Sequence, residues 1–115
     1  MRFSQCVVQD VCIFTPYGRL DANTAPALRQ QLMAADCVER GGVVDFSAVD
    51  FMDSSGLGAL IAAVRRLRKG GRDLKIACPN DNVQRVFDLT SANRLFEIFA
   101  QRQSALDSFI RERGE

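Results

Sequence analysis

The chain has 115 residues, 47% of them hydrophobic and 25% charged, with 15 Lys+Arg against 14 Asp+Glu and neither His nor Trp. That length fits one domain, and the composition is that of a globular chain rather than a disordered one. A formal charge of +1 argues against bulk electrostatic binding to nucleic acid or membranes, and the missing histidine removes imidazole acid–base catalysis, Ser–His–Asp triads and most zinc enzyme sites.

In chain order, Phe3 to Val8 and Val11 to Tyr17 read as strands rich in β-formers, with Gln9-Asp10 as a tight turn between them. Pro16-Tyr17-Gly18 ends the second strand. Asp21 to Thr24 carries helix-start signals: Asn23 and Thr24 can cap, and Pro26 falls in the first turn, where its missing N–H costs little. Leu28, Leu32 and Ala35 then recur at helical spacing up to a Gly41-Gly42 stop. Val43 to Phe46 is a short strand, and Ser47 to Asp53 reads as a loop.

The clearest helix follows. From Ser54, apolar residues fall at Leu57, Leu60, Ile61, Val64 and Leu67, with Ser54 or Ser55 as cap and Gly70-Gly71 as stop. Running to Lys69, it would be about 24 Å long. Leu74 to Cys78 is a strand closed by Pro79; Asn80 to Asp88 is a helix; Leu95 to Phe99 is a short strand; Ser104 to Arg113 is a last amphipathic helix. Alternating strands and helices predict one α/β domain over residues 1–115. Its mixed sheet has about five strands, antiparallel at the N-terminal pair and largely parallel elsewhere, covered by four helices.

Charged residues interrupt every apolar run near the N-terminus, so no signal-peptide core or membrane span is expected and the chain is placed in the cytoplasm. Cys6, Cys12, Cys37 and Cys78 form no C-x-x-C pair and are expected to be reduced, mostly buried, small apolar residues. Arg65, Arg66, Arg68 and Lys69, with Arg72, read as the solvated last turn of a helix, where cations complement the dipole. Asp45, Asp50 and Asp53 are close in sequence but divided between a strand and a loop, so no metal site is expected.

The stretch that carries chemistry is Phe51-Met52-Asp53-Ser54-Ser55-Gly56-Leu57-Gly58. It ends a loop in an acid and two hydroxyls, then opens a helix whose first-turn N–H groups and dipole favour an anion. A phosphate on Ser54 would sit in favourable local electrostatics, and Gly56 and Gly58 would let a partner approach the backbone. The same residues also make an ordinary helix cap with packing glycines. No Gly-Lys-Ser/Thr follows, which rules out a Walker loop.

This run, preceded by Val43-Val44-Asp45-Phe46-Ser47, resembles the signature of the STAS domain, and more narrowly that of the bacterial anti-sigma factor antagonists. Gly18-Arg19-Leu20-Asp21 with Thr24-Ala25, Gly70-Gly71-Arg72-Asp73-Leu74-Lys75-Ile76, and Val83 to Thr90 resemble other segments of that family in the same order. The resemblance implies a signalling phosphoprotein that is a substrate and partner rather than an enzyme, with no cofactor. A GHKL-type serine kinase, which also sequesters a target such as a sigma factor, would bind the unphosphorylated form and release the target. Phosphorylation would block that binding, and a PP2C-like serine phosphatase would restore it. Carried over, Ser54 is the phosphoacceptor and Ser55 the second candidate. Asp21, Thr24, Asp53, Ser54, Ser55, Gly56 and Leu57 form the partner-binding surface.

Two other readings remain at this level. STAS-like domains also occur as unphosphorylated subunits of membrane transport systems. A Ser or Cys nucleophile would make the chain an enzyme, but no His base or Ser–Lys pairing supports one. The charged helix faces predict a monomer when free.

Overall fold

The computed structural model describes residues 2–34 and 39–112. Ala35, Cys37 and Arg113, which figured in the expectations above, lie outside the described residues. Strands β1 (Phe3–Val8) and β2 (Val11–Pro16) form the expected antiparallel hairpin, in unbroken register from Phe3 opposite Pro16 to Val8 opposite Val11. Its two-residue turn puts Gln9 at φ 52° and Asp10 at φ 66°, the paired left-handed conformation of the hairpin turns that match strand twist.

The chain then makes β3 (Gly18–Leu20), α1 (Ala25–Ala34), β4 (Gly41–Asp45), β5 (Val49–Met52), α2 (Ser54–Lys69), β6 (Asp73–Ala77), α3 (Asp81–Leu89), a 3-10 turn at Ala92–Arg94, β7 (Ile98–Phe99) and α4 (Arg102–Glu112). The main sheet has the order β1-β2-β4-β6-β7, with every pair after the first parallel. On one side α1, α2 and α3 bury Leu28, Leu32, Leu60, Val64, Val83 and Phe87 against Cys12, Phe14, Val44 and Ile76. On the other, α4 packs Ala105, Leu106 and Phe109 on Val11, Ile13 and Val43. Central strands buried on both faces are what parallel crossovers produce.

Polar contacts also fasten α4. Arg102 Nε donates to Asp45 Oδ2 at 2.8 Å, and its Nη2 donates to Thr15 Oγ1 at 3.1 Å. The Asp45 carboxylate also accepts from the Ser47 N–H at 2.9 Å. Burial pushes the Asp45 carboxyl up, but the Ser47 donors and the Arg102 charge outweigh it and hold the group below its ordinary value. Lys75 is fully buried; its Nζ donates to Ser108 Oγ at 2.8 Å and stands 4.2 Å from the Phe109 ring centre.

Several boundaries differ from expectation. Gly41-Gly42 do not stop a helix but open β4, because a Cβ at Gly41 would strike the Phe109 ring at 2.5 Å and the Asp73 carbonyl at 2.6 Å. The segments expected to be a turn at Gly18 and a loop before Asp53 pair as a separate parallel ribbon, β3 with β5. Cys12 is buried and disulfide-bonded rather than reduced, whereas Cys6 is an exposed free thiol and Cys78 a half-buried one. Their burial follows position in the sheet, Cys12 on a central strand and Cys6 on the edge. No helix among the described residues is long and apolar enough to cross a membrane.

Candidate functional site

The ribbon of β3 and β5 delivers the Asp-Ser-Ser run to its place. Leu20 lies opposite Met52, and the next residue, Asp53, donates its N–H to the Leu20 carbonyl at 3.2 Å. Asp53 then turns extended (φ −112°, ψ −171°) and caps α2: its carboxylate accepts from the N–H of Ser55 at 2.9 Å and of Gly56 at 3.2 Å. The cap is therefore Asp53, not Ser54 or Ser55. A carboxylate is the stronger acceptor, and its charge complements the helix dipole. Ser54 and Ser55 become the first two helical residues, both exposed, and neither hydroxyl has a hydrogen-bond partner among the described residues. The helix end already holds one anion, so a phosphate on Ser54 meets the Asp53 carboxylate and finds the Ser55 and Gly56 amides occupied.

The loop between β3 and α1 is a closed polar turn. The Asp21 carboxylate accepts from the N–H groups of Asn23 at 3.0 Å and Thr24 at 3.3 Å, while the Asp21 N–H donates to Thr24 Oγ1 at 2.9 Å. The Thr24 hydroxyl donates to the Arg19 carbonyl at 2.7 Å. Desolvation pushes the Asp21 carboxyl up, but these donors and Arg19 prevail and hold it below its ordinary value, so it is ionised at neutral pH. Arg19 approaches Asp21 at 3.6 Å, and its guanidinium stacks 4.2 Å from the Phe51 ring centre. The nearest cation to this loop is thus already engaged.

The two glycines of the motif have opposite roles. Gly56 is buried; a Cβ there would lie 2.6 Å from Leu20 Cγ, 2.8 Å from the Leu20 carbonyl and 3.0 Å from Met52 Cγ. It lets α2 press against the ribbon. Gly58 is exposed, and a Cβ there would meet nothing within 4 Å. The fold does not need it, although glycine inside a helix costs about 1 kcal/mol relative to alanine. Gly58 and Ser55 line an open groove of about 670 Å³ between α2 and α1, with Ala22, Pro26, Arg29 and Met33 on the facing wall.

The structure thus brings Asp21, Asp53, Ser54 and Ser55 to one exposed rim. Thr24 is there too, but its hydroxyl serves the loop. Gly56 and Leu57 are buried and support the rim from beneath rather than form it. Sequence reasoning missed Arg19 on Phe51 and the α1–α2 groove. The available cue was the position of Gly58 one helical turn beyond Ser54, on the same face. Among the described residues, no three acidic or cysteine side chains converge as metal ligands, and Asp45 is engaged by Arg102 and Ser47.

Comparison with known proteins agrees with this geometry. A family model for the STAS domain matches residues 5–105. The anti-sigma-B factor antagonist of Listeria monocytogenes is 34% identical over 83 residues, covering 70% of this chain and 72% of that protein. The crystal structure of an anti-sigma factor antagonist from Mycobacterium paratuberculosis is 27% identical, covers 94% of this chain and 92% of its own, and superposes with a TM-score of 0.85. A sulfate transporter family protein from Wolinella succinogenes shares the fold at 18% identity, with a TM-score of 0.78 over 90% of this chain and 88% of that one.

Proposed function

The chain belongs to the STAS domain family, and we propose that it is an anti-sigma factor antagonist controlled by phosphorylation of Ser54. In this reading the whole chain acts as one such domain. The unphosphorylated form docks on a GHKL-type serine kinase that is also the anti-sigma factor, and so releases the sigma factor. The kinase phosphorylates Ser54, with Ser55 as the second acceptor, and a PP2C-like phosphatase resets the protein. The chain is the substrate and not the catalyst.

The observation that carries this reading is the division of labour at the start of α2. Asp53 does all the side-chain capping, which leaves the Ser54 hydroxyl exposed and uncommitted. A serine needed for structure would be holding the amides instead. Electrostatics then supply the switch. A phosphoserine carries about −1.5 to −2 charge at neutral pH. Here it joins Asp53 and the ionised Asp21 on a rim whose nearest cation, Arg19, is spent on Asp21 and Phe51. Docking would have to desolvate that added charge against like charge, a cost of about 3 kcal/mol, or on the order of 100-fold in affinity. The caps and core are untouched, so the fold persists and only the association changes.

The test is incubation with ATP and the cognate kinase, followed by phosphosite mass spectrometry and calorimetric titration. Wild type acquires one phosphate at Ser54, Ser54→Ala acquires none there yet still binds, and Ser54→Asp binds on the order of 100-fold more weakly. Wild-type affinity in Ser54→Asp would sink the proposal. The shared fold with a sulfate transporter family protein suggests a subunit of a membrane transport system as the competing reading. That reading expects a single unphosphorylated species from growing cells on a phosphate-affinity gel.

A further inference from the structure

The two edges of the main sheet are very unlike. The β7 edge is two residues long, too short to template another strand. The β1 edge runs six residues, Phe-Ser-Gln-Cys-Val-Val, with no charge, proline or glycine and no bulge in its register. Natural sheets blunt open edges with those devices, because an unprotected edge pairs with another chain. No helix covers either side of β1: its residues from Ser4 to Val8 are all exposed, Val7 by 53%.

Alternation determines which peptide groups meet a newcomer. Val8 and Val11 flank a two-residue turn and so form a hydrogen-bonded pair, as does Arg2, whose carbonyl accepts from the Tyr17 N–H at 2.9 Å. Even-numbered residues therefore turn their N–H and C=O groups toward β2, and Phe3, Gln5 and Val7 turn theirs outward. An antiparallel strand edge is complementary to itself about a two-fold axis. An axis through Cys6 sets outward residue against outward residue, Gln5 opposite Val7 of the second copy. It also sets Arg2 opposite Asp10 of the second copy at both ends, joining opposite charges. An axis through Gln5 satisfies the same alternation but places Arg2 opposite Val8 and leaves Asp10 unopposed.

We infer that β1 is a self-association edge: two copies of this chain join their β1 strands antiparallel about an axis at Cys6, making one continuous ten-stranded sheet. The charged helix faces that argue for a monomer leave this strand out of account. The pairing adds main-chain hydrogen bonds with little apolar burial, so the dimer is weak and appears only at high protein concentration. It is independent of the phosphorylation reading, since the strand lies at the sheet margin and the association needs no kinase.

At the proposed axis the two Cys6 residues form a non-hydrogen-bonded pair, with Cα atoms about 4.5 Å apart, inside the range a disulfide spans. Cys6 is a free thiol and can report the register. Sedimentation velocity on the full chain over rising concentration is expected to show a monomer–dimer equilibrium. Val7→Pro removes an outward N–H that β2 does not use; it is expected to keep the circular dichroism spectrum and lose the dimer. Val7→Lys, which places like charges beside the axis, does the same should the proline variant misfold. In Cys78→Ser protein, diamide is expected to yield a covalent dimer mapped by mass spectrometry to Cys6. A monomer at every concentration, or a Val7→Lys protein that dimerises like wild type, overturns the proposal. A dimer that diamide cannot link through Cys6 overturns the register.

Discussion

Replacing Gly58 by alanine separates what the fold needs from what a partner needs. The added methyl would meet nothing within 4 Å, so it neither clashes nor packs, and its effect on stability is helix propensity alone, about 1 kcal/mol in favour of alanine. With an unfolding entropy of roughly 2.1 cal/mol/K per residue, a chain of this length gains about 4 °C in Tm from that. Docking should respond in the opposite sense. Gly58 shares its groove with Ser55 beside the phosphoacceptor, and a methyl inserted into a close-packed interface costs about 1–3 kcal/mol, roughly 5- to 150-fold in affinity. The assay pairs thermal denaturation of the free protein with calorimetric titration against the cognate kinase. Gly56→Ala is the counterpart: its methyl strikes Leu20 and Met52 and should destabilise the fold by about 1–3 kcal/mol. A Gly58→Ala protein that is more stable and binds with unchanged affinity would refute the assignment of this face to the partner. One that is less stable would refute the structural argument itself.

Three further outcomes can be checked. Asp53→Ala, which strips the Ser55 and Gly56 amides of their acceptor, should cost about 1 kcal/mol in urea denaturation, and Asp53→Ser should recover most of it. The Asp45 carboxyl lies below its ordinary value in the folded state, so its contribution is present above the unfolded value of about 3.9 and lost as pH falls through the folded one. Urea midpoints of wild type should therefore fall between about pH 5 and pH 3. In Arg102→Met, where Asp45 stays buried without its cation, the protein should be weaker by about 2 kcal/mol at pH 7, and the part of the acid-side loss due to Asp45 should vanish or reverse. Changing Gln9-Asp10, both at positive φ, to Asn-Gly should raise stability by about 1 kcal/mol; an unchanged midpoint would argue against the tight turn.

The elements legible in the chain are those whose signal is local. The 3.6-residue stripe from Leu57 to Leu67 marks α2 to the residue, because only a helix with one buried face needs that spacing. The hairpin is similarly readable from two β-rich runs about Gln9-Asp10. The Asp-Ser-Ser-Gly run shows that something happens at the start of α2, but not which side chain caps it. Ser54, Ser55 and Asp53 are all good caps, and the choice falls to Asp53 because the ribbon holds its N–H on the Leu20 carbonyl. That ribbon was illegible: β3 and β5 have only three and four residues, and their pairing spans a helix and a strand. The different roles of Gly56 and Gly58 were equally hidden, since two residues on a helix point to opposite sides and only the packing of Leu20 and Met52 says which side is inside. Periodicity specifies an element and its apolar face; which elements meet, and so which hydroxyl is left exposed, depends on contacts between segments far apart in the chain, and those exist only once it has folded.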